Sequence, residues 1–275
     1  MGIKKTFKSL SVLFLSIYIL FFNSIHAQNL ENITINIADD TAQWPPFTYY
    51  KVDKGKRTNK IVGFSVDVIS EIFKKNDINF TITLLPWKRA LKEVKEGESY
   101  QLILNATYTK QRQNNYHITR SYYTLSYLAF YSAKKYPSGL VVKNTQYIKD
   151  NYKLCGLLGY NYYVNGFTEK EIDKTSLYNY DKLIKVMHHR TQRCDLFIEG
   201  YEVFVGFKTI GKNYLDDEKL KYTRIPNTHP KKFHMLISKN YIYSKQLEQI
   251  INEGINLMET TGRLNELKVK YNLLY

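Results

Sequence analysis

The 275-residue chain carries 40 lysines and arginines against 25 acidic residues, a formal net charge of +15. The cations are dispersed and form no long basic run, which argues against nucleic acid as a partner and leaves anionic solutes or a membrane surface as what such a field attracts. Two cysteines in a chain of this length fit one large or two modest domains and exclude a small disulfide scaffold.

The N-terminal segment reads as an export signal. Lys4, Lys5 and Lys8 form its basic start, and residues 10–22 are apolar apart from two serines. Ile25-His26-Ala27 places a small residue at the cut, so residues 1–27 are expected to be removed and the mature chain to begin at Gln28. The apolar core is shorter than the ~20 residues a membrane span needs. With no cysteine near the cut to carry a lipid, the mature protein is expected to be exported and soluble.

Strands and helices then alternate. Residues 33–38 alternate as a strand, and 63–75 carry Val66, Ile69, Ile72 and Phe73 at helical spacing. Residues 78–85 form a second strand. Pro86 opens a helix with Trp87, Ala90, Leu91 and Val94 on one stripe. Residues 102–104 are a buried strand that opens into Asn105-Ala-Thr-Tyr-Thr-Lys-Gln-Arg112. This order predicts a parallel sheet with right-handed crossovers and ligands beyond the carboxyl ends of its strands. Two threonine hydroxyls and a guanidinium fork at such a strand end suit a carboxylate. The bland alternative is a solvated loop with a surface arginine.

An apolar-aromatic run at 127–132 and a polar break at 134–139 lead into a second α/β stretch. Its expected elements are a strand at 154–158 ending in Gly159-Tyr160-Asn161-Tyr162, a helix at 181–189 and strands at 196–198 and 232–238. Amphipathic helices at 244–258 and 264–271 close the chain. Cys155 and Cys194 each lie in or beside an apolar run. Adjacent parallel strands would bring them together, so a disulfide is expected rather than two buried thiols. His188-His189 lacks a second ligand pair at metal spacing and reads as a solvated face. No metal and no cofactor are expected.

In this order and spacing the residues resemble the family 3 extracellular solute-binding proteins, the polar-amino-acid receptors of ABC importers. Asp40 followed by Trp44-Pro45-Pro46-Phe47 looks like the family's first loop, and Gly63-Phe64-Ser65-Val66-Asp67 like its helix start. Thr107-x-Thr109-x-x-Arg112, with Tyr122-Tyr123 after it, is similar to the ligand-carboxylate motif. Gly262-Arg263-Leu264 and Lys270-Tyr271 match the closing helices. The wording Pro86-Trp87-Lys88-Arg89-Ala90 looks like a branch found as stand-alone periplasmic proteins.

The resemblance implies an α/β, two-lobed (type II) binding protein with two hinge strands and a ligand cleft between the lobes. Lobe 1 would be residues 28–128 and 238–275, and residues 129–237 would hold lobe 2 and the hinge strands, with crossings at 127–132 and 233–238. It implies a monomeric periplasmic receptor that captures a small carboxylate-bearing ligand, an amino acid or another organic acid, by hinge closure and delivers it to an ABC permease. Arg112 and Thr107 would hold the carboxylate. Trp87, Trp44 and Phe47 would wall the pocket, with core packing as the alternative for each. Asp40 would face the cleft or sit as a loop acid, and Tyr160 stands where the family's anion loop has small residues. The family's acid for the α-amino group would fall at Gly200; Glu199 precedes it, and strand alternation turns it the other way. Gln101 stands where the family has Asp and reads as structural. Two alternatives are a dehydratase-type enzyme on the same scaffold, which would need an acid–base pair across the cleft, and a sensor signalling in trans to a membrane partner.

Overall fold

A computed structural model describes residue 30 and residues 33–162, 166–189 and 192–273. The export signal expected at 1–27 lies outside the described residues. The chain forms two α/β lobes, each built on its own sheet.

The first sheet begins with β1 (Thr34–Asp40), whose residues are buried from Ile37 onward. An exposed hairpin follows, β2 (Tyr49–Asp53) and β3 (Lys56–Val62). Its turn residues Lys54 and Gly55 both have positive φ, which matches the twist of a tight hairpin. Helix α1 (Phe64–Lys75) carries the chain to β4 (Asn79–Leu85), and α2 (Trp87–Glu96) carries it to β5 (Leu102–Thr107). β4 and β5 flank β1 in parallel, as the strand–helix alternation predicts.

The start of α1 shows why its sequence begins with glycine. Gly63 has φ 139°, and a Cβ there would lie 2.1 Å from the Phe47 carbonyl oxygen. That close approach lets the Pro46 and Phe47 carbonyls accept from the N–H groups of Phe64 (2.9 Å) and Ser65 (3.1 Å), satisfying the open end of the helix.

A short helix α3 (Lys110–Asn115) and strands β6 (Tyr116–Ile118) and β7 (Tyr123–Leu125) complete this part of the lobe. The chain then passes at Ser126 into β8 (Tyr127–Ser132), which belongs wholly to the second sheet. That sheet also contains β9 (Leu154–Cys155), β10 (Ile172–Asp173), β11 (Leu196–Gly200) and β12 (Leu220–Arg224). Helices α4 (Thr145–Asn151), α5 (Tyr180–His189) and α6 (Tyr201–Gly206) accompany it. Its core is aromatic: Phe130 stacks on Phe197 at 5.1 Å and on Phe204 at 4.4 Å. β9 and β11 are parallel neighbours, and a disulfide joins Cys155 at the end of one to Cys194 just before the other, with Cα atoms 5.6 Å apart.

Residues 225–230 return the chain to the first lobe, where β13 (Lys231–Ser238) pairs antiparallel with β5, β6 and β7. Segments 127–132 and 233–238, expected as crossings, are thus sheet strands, and the connections are shorter and lie just outside them. Helices α7 (Ser244–Thr260) and α8 (Arg263–Lys270) end the described chain. They are tied to α1 by Arg263 on Glu71 (2.7 Å) and by Lys270 and Tyr271 on Asp67 (2.6 and 2.8 Å).

Two further expectations change. The strand foreseen at 154–158 stops at Cys155, because the Leu157 N–H turns to donate to the Tyr162 hydroxyl at 2.9 Å. His188 is not on a solvated face: its ring is buried between Ser132 (2.9 Å) and Asp217 (3.1 Å). No helix among the described residues is long and apolar enough to cross a membrane.

Candidate functional site

The carboxyl ends of β1, β4 and β5 meet the second lobe across a cavity of about 50 Å³. From the first lobe it is lined by Asp39 and Asp40 at the end of β1, Trp44 in the following loop and Trp87 at the start of α2. Asn105 and Thr107 at the end of β5, Arg112 on α3 and Phe233 at the start of β13 complete that side. Tyr127 at the start of β8, with Tyr160 and Asn161 from the loop after β9, lines it from the second.

Arg112 is positioned by its own helix end. Thr109 caps α3 by accepting from the Arg112 N–H at 2.9 Å. This turns the guanidinium back over β5, where Nη1 donates to the Thr107 carbonyl (2.7 Å) and hydroxyl (3.0 Å). The residue is only 8 % exposed. No carboxylate lies within ion-pair distance of it, and its Nε and Nη2 have no acceptor, among the described residues. Burial pulls its pKa down to about 10. Its guanidinium carbon is 5.6 Å from the centre of the Trp87 ring. An unpaired, desolvated cation of this kind is costly until an anion meets it.

Thr107 links the lobes. Its hydroxyl oxygen accepts from Arg112 and, across the cleft, from the Asn161 amide at 3.0 Å.

Opposite Arg112 stand two buried acids. Asp40 uses one carboxylate oxygen to accept from the Ala42 N–H (3.0 Å), while its second oxygen has no hydrogen-bond partner among the described residues. Burial raises its pKa to about 6. Asp39 is raised to about 7, again chiefly by burial. It accepts from the Asn105 amide at 2.6 Å. Asn105 also donates to Thr48 (2.7 Å) and accepts from Ser65 (2.6 Å) and Tyr123 (2.9 Å). It holds this hub with φ 53°, a left-handed conformation that asparagine tolerates. Trp44 meets Tyr160 edge-on at 5.6 Å, and Trp87 meets the same ring at 6.5 Å, so the wall between the acids and the arginine is aromatic.

Six of the eight expected ligand residues therefore converge: Arg112, Thr107, Trp87, Trp44, Asp40 and Tyr160. Phe47 does not. It is fully buried in the first lobe and stacked on Tyr123 at 4.1 Å, because its carbonyl is committed to capping α1. Glu199 also lies off the cavity lining. Alternation along β11 turns it inward, where it accepts from the Tyr180 hydroxyl (2.6 Å) and the Gly200 N–H (2.7 Å), and burial raises it to about 7. Gln101 is structural: it accepts from the Asn36 N–H at 2.9 Å and donates to the Glu98 carbonyl at 3.0 Å. Asp39, Asn105, Tyr127, Asn161 and Phe233 were not singled out as ligand residues in the sequence. Asn105 and Asn161 lie inside stretches that were, whereas nothing local marks Phe233.

Two α/β lobes enclosing a cavity whose first-lobe lining carries a guanidinium without a counter-charge and a carboxylate oxygen without a hydrogen-bond partner, among the described residues, suit a small polar solute. The chain belongs to the bacterial extracellular solute-binding proteins, family 3, whose family profile matches residues 35–273. That family is one of binding proteins, so the dehydratase-type alternative falls away.

Among characterised sequences, the chain is 25 % identical to a probable histidine-binding protein of Campylobacter jejuni subsp. jejuni, over 90 % of this chain and 89 % of that one. Among solved structures, it shares the fold of an amino acid ABC transporter substrate-binding protein of Streptococcus pneumoniae bound to L-arginine. There the TM-score is 0.66 and the identity 17 %, over 86 % of this chain and 94 % of that one. A histidine kinase sensor domain with similarity to periplasmic binding proteins has the same fold at TM-score 0.68 and 14 % identity, over 87 % of this chain and 96 % of that one.

Proposed function

We propose that this protein is an exported receptor that captures an amino acid between its two lobes and presents it to an ABC importer. The observation that carries the reading is Arg112, buried, without an acidic partner among the described residues, and lining the cavity. A ligand carboxylate supplies the missing anion, and its charge-assisted hydrogen bonds are worth about 1.5–3 kcal/mol. Asp40 is the acid available for an ammonium group, since the place where the family carries one in the second lobe is Gly200. The named ligands of the relatives, histidine and L-arginine, support an amino acid with a basic side chain as the first to try. Closure follows from a ligand that touches both lobes only when they are shut, which shifts the population toward the shut form. The sensor-domain likeness supports a second reading, in which the shut form is read by a membrane partner that signals.

The test is a thermal-shift screen with amino acids and organic acids, followed by titration. Arg112→Ala is expected to lose about 10- to 100-fold in affinity. Its ligand-free melting temperature should hold, because the substitution also removes an unpaired buried charge. An unchanged affinity would take Arg112 out of the site.

A further inference from the structure

The two connections between the lobes line a groove of about 670 Å³ that shares only Tyr127 with the ligand cavity. Ser126 and Tyr127 form one wall, residues 225–230 another, and the start of α6 the floor. Set in that floor is Glu202, which is 8 % exposed. One of its carboxylate oxygens is buried with no hydrogen-bond partner among the described residues. Among the described residues no cation forms an ion pair with it, including Arg224 and His229, which line the same groove. The rings of Tyr127, Tyr201 and Tyr222 also line the groove. Burial raises the Glu202 carboxyl above its ordinary value, the penalty expected of an acid held out of water without a counter-charge.

A carboxylate held only by backbone N–H groups, with one oxygen unpartnered and no counter-charge among the described residues, beside tyrosines, is the chemistry that holds an organic cation. Such a cation repays the desolvation of the acid and is attracted to ring faces. A hard metal ion is a poorer match, because it takes six or more oxygen ligands and no group of three or more metal-ligating side chains occurs among the described residues. We propose that this groove is a second solute site, which takes a small molecule bearing a primary ammonium group with Glu202 as its counter-charge. Because both connections wall it, the occupant contacts the segments that must turn when the lobes move. Occupancy is therefore coupled to lobe closure, and each site alters the affinity of the other.

The probe is ethylammonium chloride, compared with sodium chloride at equal ionic strength. The background is Asp40→Asn, which removes the first-cavity acid whose second oxygen is unpartnered and leaves Asp39 held by the Asn105 amide. Because that background leaves Arg112 in place and silences Asp40, the outcome does not depend on the reading of the first site. The expected result is a saturable rise in melting temperature that disappears in Asp40→Asn/Glu202→Gln. Tyr222→Ala, an exposed position in the same background, is the companion variant should Glu202→Gln fold poorly, and is expected to weaken the response several-fold. No saturable rise in the Asp40→Asn protein overturns the proposal. So does an equal rise in the Glu202 variant or, where that variant does not fold, in the Tyr222 variant.

Discussion

Asn105 shows how much one side chain can organise. Its amide satisfies Asp39 and Thr48, and its carbonyl takes hydroxyls from Ser65 and Tyr123, so the end of β5 is fixed from several sides. The buried acids of the two lobes have a consequence for pH. Glu199 titrates at about 7 in the folded protein, against an ordinary 4.5. Below 4.5 it is neutral in both states. Between the two values the unfolded chain gives up its proton while the folded chain keeps it, so the stability this group contributes falls as pH rises toward 7 and levels off above. Asp39 and Asp40, both raised by burial, act in the same direction. Glu199→Gln keeps an acceptor for the Gly200 N–H and a polar atom for Tyr180. It should therefore flatten the decline in melting temperature between about pH 4.5 and 7. Parallel slopes for the two proteins would show that Glu199 does not set it. The place of Arg112, Thr107 and Asp40 in the cavity lining was legible in the sequence because Thr107 and Asp40 end strands and Arg112 lies in the first turn of a helix capped by Thr109, where local chemistry fixes direction. Phe47 and Glu199 were not, because a carbonyl commitment and a strand's alternation, rather than residue type, decide which way those side chains point.

Regular elements followed hydrophobic period closely. The helices at 64–75, 87–96 and 244–260 and the strands at 34–40 and 79–85 needed little beyond stripe and alternation. The elements that escaped are short or exposed. The hairpin of β2 and β3 is largely polar on both faces, so it offers no apolar period, and β9 and β10 are two residues each. One contact between elements makes a sharp prediction. At the end of α6, a Cβ on Gly206 would lie 2.5 Å from the Pro45 carbonyl carbon and 2.6 Å from its oxygen. The second lobe thus seats directly on the backbone of the first lobe's Trp44–Phe47 loop. Main chain cannot swing aside as a side chain can, so Gly206→Ala must push α6 and that loop apart. Solution scattering should give a larger radius of gyration, and solute affinity should drop at least several-fold. A Gly206→Ala protein with native dimensions and affinity would mean the seat yields without cost.

At the scale of the whole molecule, the two-lobe plan was readable from the strand–helix order. The exact places of passage were not, because β8 and β13 look the same in sequence whether they cross between sheets or lie within one. With β8 committed to the second sheet and β13 to the first, Ser126 and residues 225–230 are left to absorb any rotation. On the cleft side, the Asn161 amide bonded to the Thr107 hydroxyl ties the lobes together when shut. Such a bond is worth about 0.5–1.5 kcal/mol. Asn161→Ala should therefore speed solute release roughly 3- to 10-fold and leave capture rates nearly unchanged, as stopped-flow measurements would show. Identical release rates would mean the bond holds nothing. The disulfide sits elsewhere: Cys155 ends β9 and Cys194 lies two residues before β11, both in the second lobe and 39 residues apart, and the crosslink spans neither connection. A thiol reductant would therefore make the second lobe less durable while leaving the hinge as free to swing as before, so redox conditions govern how long the receptor survives rather than what it catches.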